Sequence, residues 1–312
     1  MIKTASNILF FADGAKGEAA ALQRSYEIAI ESRARLLVMD VVAEVSSDNQ
    51  ALKPSIRKLQ NALIRERGQA LDKLIASVTP VEGKKPSIRK VVVPGKDYVE
   101  LVRTVQRDQI DLVVKSVDSH SRLANMMLGN LDLKILHHCP CPVLILKPSR
   151  RRVLRNVLAA VDPDAHTGEE QQLNREIMEA AASMATPTSA QLHVLHVLEK
   201  LGRVTGAHKE DIQTLHKALR DDVARKMVRL LDDHAHLSFK DHLRTGHPDA
   251  VIEKFIDERD IDLLVMGSVA RSGVSGIVVG NTAEKILSRV NCSVMTLKPT
   301  GWQSPISGLN LI

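Results

Sequence analysis

The sequence predicts an α/β protein of two tandem Rossmann-like domains, each a five-stranded parallel sheet with helices on both faces. Three observations carry this. The chain contains itself twice. Within each copy, short aliphatic runs alternate with amphipathic stretches. The apolar residues are nearly all Val, Ile, Leu, Ala and Met, since 44% of the chain is hydrophobic and only 2% aromatic. That bias suits strands buried on both faces, and strands alternating with helices imply parallel pairing through right-handed crossovers.

The repeat is legible in five places. The segment 7–13 matches 156–162, and 37–42 matches 192–197 in pattern. Asp111-Leu112-Val113-Val114 matches Asp262-Leu263-Leu264-Val265, Gly129-Asn130 matches Gly280-Asn281, and the run from Cys141 to Pro148 matches that from Cys292 to Pro299. The last three pairs share one offset of 151 positions. So long a period denotes two whole domains rather than a solenoid of short units. The domains are assigned to residues 1–149 and 150–312.

Each half reads β-α-β-α-β-α-β-α-β. Strands fall near 7–12, 36–42, 88–93, 111–116 and 142–147 in the first half. In the second they fall near 155–161, 191–197, 238–243, 262–266 and 293–297. The long second helix of the first half shows Leu52, Ile56, Leu59, Leu63, Leu71 and Leu74, the spacing of one buried stripe, with Pro54 in its first turn. Its counterpart shows Ile212, Leu215, Leu219, Val223, Met227 and Leu230. Pro248 opens the next helix after Gly246, as Asp97 does after Gly95. The segment after Thr300 has no period and reads as a packed or frayed extension.

Composition narrows the function. There are 43 basic and 37 acidic residues among 312, a net charge of +6. That balance is mild, and the scarcity of aromatics removes the stacking platforms of RNA and single-strand binders. The basic cluster from Lys147 to Arg155 reads as a solvated interdomain linker. Three cysteines make no disulfide framework. The apolar run at the N-terminus is too short for a signal peptide or a membrane span, so the expectation is a soluble cytoplasmic protein with neither nucleic acid nor membrane as partner.

The chemistry concentrates in Gly267 to Asn281, GSVARSGVSGIVVGN. It follows the apolar run 262–266 and precedes a helix beginning near Thr282. A glycine-bearing loop between a strand's C-terminal end and a helix N-terminus is where open parallel sheets hold ligands. Backbone N–H groups and the helix dipole there favour phosphate. Arg271 is within reach of phosphate oxygens or, equally, of solvent. Asn281 also suits a helix cap with Glu284 three residues on.

Gly267, two residues, Ala270, nine residues, Gly280 and then Asn281 resembles the nucleotide loop of the universal stress protein family, Gly-x2-Gly-x9-Gly followed by Ser, Thr or Asn, with alanine at the second glycine. The resemblance covers about residues 7 to 299 and is closest to the E-type with two fused domains. It implies a strand order of 3-2-1-4-5. It also implies ATP or another adenine nucleotide in the second domain, with Asp162 and Val197 beside adenine and ribose. Gly267, Ala270, Arg271, Gly280, Asn281 and Thr282 would lie around the phosphates. Asp162, in Asp-Pro-Asp, is also a turn former. Family members commonly pair through their fifth strands, which implies an internal pseudo-dimer of the two halves here, with a homodimer as a further arrangement.

The first-half loop, Ser116 to Asn130, keeps the spacing but carries Ser116 and Ser119 for the early glycines, and Leu131 and Asp132 where the second half has Thr282 and Ala283. A carboxylate in the first helical turn uses the dipole's positive end and repels phosphate, so nucleotide is not expected there. No metal site is expected. His193 and His196 lie three apart on a strand and face opposite ways, and His137, His138, Cys139 and Cys141 read as structural. No general base aims at the phosphates, so at most slow ATP hydrolysis is expected.

The reading is a stress-response nucleotide-binding protein acting as a signalling or resilience factor. Ala270 and the altered first loop favour a scaffold without nucleotide as the alternative, and the aliphatic first domain leaves room for an apolar ligand.

Overall fold

A computed structural model describes residues 5–15, 17–81, 83–117, 130–148, 151, 153–199, 209–268 and 281–306. The chain divides into two compact units, one built mainly on Ile2–Pro148 and the other on Ser149–Ser272 and Val279–Gly301. Among the described residues no helix is long and apolar enough to cross a membrane.

The N-terminal unit runs β1 (Asn7–Ala12), α1 (Glu18–Ser32), β2 (Arg35–Val42), α2 (Lys53–Ala76), β3 (Ile88–Pro94), α3 (Asp97–Arg107), β4 (Leu112–Ser116), α4 (Asn130–His138) and β5 (Val143–Leu146). Its strands lie in the order β3-β2-β1-β4-β5, all parallel, with Ile8 opposite both Leu36 and Leu112. The C-terminal unit runs β6 (Asn156–Ala160), α5 (Gly168–Ala185), β7 (Gln191–Glu199), α6 (Lys209–Asp232), β8 (Phe239–Gly246), α7 (Pro248–Arg259), β9 (Leu263–Gly267), α8 (Asn281–Arg289) and β10 (Ser293–Leu297). Its order, β10-β9-β6-β7-β8, is the same arrangement and is again all parallel. This is the order that the resemblance implies.

The strands form because short aliphatic runs, Val, Ile and Leu foremost, suit a pleated surface packed on both faces. Leu9, Val38, Val113 and Leu144 are fully buried in one unit, as are Leu158, Val194, Leu264 and Val294 in the other. Each such side chain contributes about 1.5–3 kcal/mol.

The repeated Asp explains itself. Asp111 Oδ2 accepts from the backbone N–H groups of Ser6 (2.7 Å) and Asn7 (2.9 Å). Asp262 Oδ2 accepts from those of Arg155 (2.7 Å) and Asn156 (3.0 Å). The paired asparagines then donate to the carbonyls of Gln109 and Asp260. In both units one carboxylate staples the start of the central strand to the start of its neighbour. Arg151, read as a solvated linker residue, instead pairs with Asp260 at 2.6 Å and Asp262 at 3.2 Å.

A second repeated device follows β3 and β8. Gly95 (φ 147°) and Gly246 (φ 155°) adopt backbone conformations that L side chains avoid. A Cβ on Gly246 would also stand 2.6 Å from Val251 Cγ2. These glycines let α3 and α7 begin hard against the strand ends.

The expected stripes on α2 and α6 are only partly buried. On α2 Leu71 is buried but Leu59 is 51% exposed; on α6 Val223 and Met227 are buried but Leu215 is 52% exposed. Length is the reason. A helix of 24 residues is about 36 Å long, whereas the 8-residue β2 spans roughly 26 Å. The C-terminal part of α2 meets the sheet, where Lys90 pairs with Asp72 and reaches the Gly68 carbonyl. The N-terminal part runs past it. After β10, Thr300 Oγ1 donates to Glu176 Oε1 at 2.6 Å, and Ser304 and Ile306 are buried, so this part of the tail is packed.

Candidate functional site

Both units leave β1 or β6 toward one side of the sheet and return on the other. The crevice at the C-terminal ends of β1 and β4, or β6 and β9, is therefore a topological switch point, where open α/β sheets hold ligands. The two crevices are built alike and filled differently.

In each, the turn after the central strand is tied by the following helix. Asp162 N donates to Asn174 Oδ1 (2.9 Å), and Asn174 Nδ2 donates to the Asp162 carbonyl (2.7 Å). In the N-terminal unit Glu18 does this work, accepting from the N–H groups of Asp13 (2.6 Å) and Gly14 (2.5 Å). The aspartates fold their own turns in the same way: Asp13 Oδ1 accepts from Ala15 N, and Asp162 Oδ1 from Asp164 N. Thr167 caps α5 in a reciprocal capping box with Glu170.

The difference lies one strand over. Lys115 on β4 pairs with Phe11, and at the matching step Met266 on β9 pairs with Ala160. The Lys115 side chain is fully buried, with Nζ 2.6 Å from Asp13 Oδ2, 2.8 Å from Asp132 Oδ1 and 2.8 Å from the Ser116 carbonyl. Asp132, in the first turn of α4, is 1% exposed. Burial disfavours the Lys115 ammonium, but Asp132 and Asp13 outweigh it and raise its pKa. The C-terminal unit has Met266 and Ala283 at these two positions, both buried, and so lacks this ion cluster.

More carboxylates crowd the N-terminal crevice. Asp40 accepts from Arg67 Nε at 2.6 Å. Burial raises its pKa to about 6 despite Arg67. Burial, followed by the neighbouring Asp13 charge, raises that of Asp97.

Asp162 lies two residues past β6 and is half-buried. Val197 does not end its strand as expected: β7 continues to Glu199, because β8 keeps pairing with it as far as Gly246. Gly267 is the last residue of β9. A Cβ there would stand 3.0 Å from Leu173 Cδ2 on α5, so any larger residue would have to push that side chain aside by a few tenths of an ångström. Asn281 and Thr282 open α8, and their side chains lie outside the described residues. So do Ala270, Arg271 and Gly280, together with the first-half loop 118–129.

Sequence reasoning passed over Lys115. Its signal was a lysine inside an otherwise apolar strand, Leu112-Val113-Val114-Lys115, where a buried charge demands partners. It also passed over the histidine pair of the C-terminal sheet. His193 Nδ1 lies 3.0 Å from His242 Nε2, and both rings pack edge-on to Phe255. Burial first, then the positive charges of His242, Lys240 and Arg259, lowers the pKa of His193 to about 4.

These shifts have opposite consequences. His193 contributes stability above its unfolded value near 6.5 and loses it as pH falls toward 4. Asp40 holds its proton more tightly when folded, so its contribution is full below 3.8 and is lost as pH rises through 6. A side-chain NMR titration of the full chain should find His193 neutral at pH 5 and Asp40 half-titrated near pH 6. A His193 midpoint at 6.5 would contradict the buried pair.

Residues 4–147 and 154–298 each match the sequence profile of the Universal stress protein family. Universal stress protein E of Photorhabdus laumondii is 25% identical over 221 residues, covering 70% of each chain. The same protein of Salmonella typhi is 25% identical over 263 residues, covering 83% of this chain and 80% of its own. Among solved structures, a functionally unknown protein of Pseudomonas aeruginosa PAO1 shares the fold with a TM-score of 0.71 at 23% identity, covering 96% of this chain and 94% of that one.

Proposed function

The chain belongs to the universal stress protein family as a tandem, E-type member, and from that premise we propose that its C-terminal half binds ATP or a related adenine nucleotide. The N-terminal half does not. The observation that carries this reading is the contrast at one pair of matching positions. Lys115 and Asp132 join Asp13 in a buried ion cluster at the first switch point, whereas Met266 and Ala283 bring no charge to the second. The second loop also keeps two of the motif's three glycines, Gly267 and Gly280, where the first keeps Gly129 alone.

In this reading the backbone N–H groups of Gly280, Asn281 and Thr282 hold the phosphates, aided by the N-terminal dipole of α8. Ala270 and Arg271 line the same loop. Asp162 accepts from a ribose hydroxyl or the adenine amino group, and Val197 borders the base. Bound nucleotide acts as a signal or a conformational clamp rather than a rapidly hydrolysed substrate.

Calorimetric titration of the full chain with ATP tests this. Saturable binding is expected, and Gly280→Val, which puts a branched side chain against the phosphates, should weaken it by at least tenfold. Unchanged affinity in that variant would remove the loop from the site.

A further inference from the structure

The geometry points to a divalent transition-metal site in the C-terminal unit, formed by His196, Asp162 and Asp164. It requires no nucleotide and goes beyond the proposed function. A ring nitrogen of His196 and one carboxylate oxygen from each aspartate lie within 4.8 Å of one another. A zinc-like ion bonded at about 2.0–2.2 Å holds its ligand atoms roughly 3–4 Å apart, so small side-chain rotations close the site.

Three features distinguish the group from an ordinary acidic surface. First, His196 is 4% exposed on a strand whose neighbours Val194, Leu195 and Leu198 are apolar. Second, its Nδ1 stands 3.0 Å from the Val161 carbonyl oxygen. A carbonyl only accepts, so Nδ1 carries the proton and the lone pair of the neutral ring is on Nε2. A histidine anchored through one nitrogen on a backbone carbonyl is the usual arrangement of a metal ligand. Third, the aspartates are held in place. Asn174 clamps the Asp162 backbone on both sides, and Asp162 Oδ1 receives the Asp164 N–H.

The trio is not a general product of the fold. By strand register the matching positions of the N-terminal half are Asp13, Ala15 and Asp40, and there Ala15 brings no ligand while Asp40 is taken by Arg67. His193 stays apart, as its position three residues earlier on β7 requires, because it pairs with His242 on β8.

One imidazole nitrogen and two carboxylates suit zinc, cobalt or manganese better than magnesium, which favours an all-oxygen shell. Three protein ligands leave positions for water or an incoming oxygen ligand. The cation already in place is the Lys226 ammonium, 2.8 Å from Asp164 Oδ1 and 2.8 Å from Asp222 Oδ2. It competes for Asp164, so removing it should strengthen metal binding.

Cobalt(II) is the probe, because its visible absorption reports the ligand type. The full chain, stripped with chelator and free of nucleotide, is expected to bind one Co²⁺ with d–d bands of nitrogen and oxygen ligation, displaced by Zn²⁺ but not by Mg²⁺. Asp164→Asn, at a partly exposed position that preserves the fold, should weaken binding at least tenfold. Lys226→Met should tighten it severalfold, and His196→Gln should abolish the spectrum. If the buried histidine variant fails to fold by circular dichroism, the Asp164 and Lys226 variants decide. A chain that binds no Co²⁺, a spectrum carried only by thiolate charge transfer from Cys139 and Cys141, or affinities unmoved by both Asp164→Asn and Lys226→Met would overturn the site.

Discussion

Lys115→Met is expected to destabilise the N-terminal unit by about 3–5 kcal/mol, the cost of leaving a buried charge without its partner. Asp132 is 1% exposed, and the Lys115 ammonium stands 2.8 Å from its Oδ1. Removing that ammonium strands Asp132 in the interior and deprives Asp13 of its partner as well. The double variant Lys115→Met, Asp132→Ala should recover most of the loss. It installs the apolar pair that the C-terminal unit already carries as Met266 and Ala283, and well-packed apolar replacements of buried ion groups are often neutral or better. Urea unfolding of both variants measures the two effects. A single variant costing less than about 1 kcal/mol would mean that water reaches Asp132.

The reciprocal exchange carries the second large effect. Met266→Lys with Ala283→Asp should abolish nucleotide binding by the C-terminal half. Both residues are buried at the switch point. Together with Asp162 they would rebuild the cluster that Lys115, Asp13 and Asp132 form in the other unit. The new lysine would tie up Asp162, and the new carboxylate would stand in the first turn of α8, where phosphate needs the positive dipole end. Charge-neutral overall, the exchange copies a constellation that the same fold tolerates elsewhere in the chain, so folding should survive. Retained ATP affinity in a folded double variant would separate the nucleotide site from this crevice.

Much of the architecture was legible because the chain supplies its own comparison. The shared offset of Asp111 with Asp262 marked two equivalent units, and both aspartates do the same work at the start of the central strand. The alternation of aliphatic and amphipathic runs placed every strand within a few residues. What stayed illegible depends on distances between segments far apart in sequence. The periodicity of α2 declares an apolar stripe but not how far the sheet extends beneath it, so Leu59 looked buried and is exposed. Asp132 was recognisable as hostile to phosphate from its place in a first helical turn. Its partner Lys115 was not, because only the fold brings β4 against that turn. His196 and Asp164 stand 32 positions apart and meet only because β7 lies beside β6.

The number of ATP molecules bound per full-length chain tests the central claim most directly. Equilibrium binding to the intact protein should saturate at one. Two per chain would mean that the Lys115 cluster does not bar nucleotide from the N-terminal crevice, and none would remove nucleotide from this protein's function altogether.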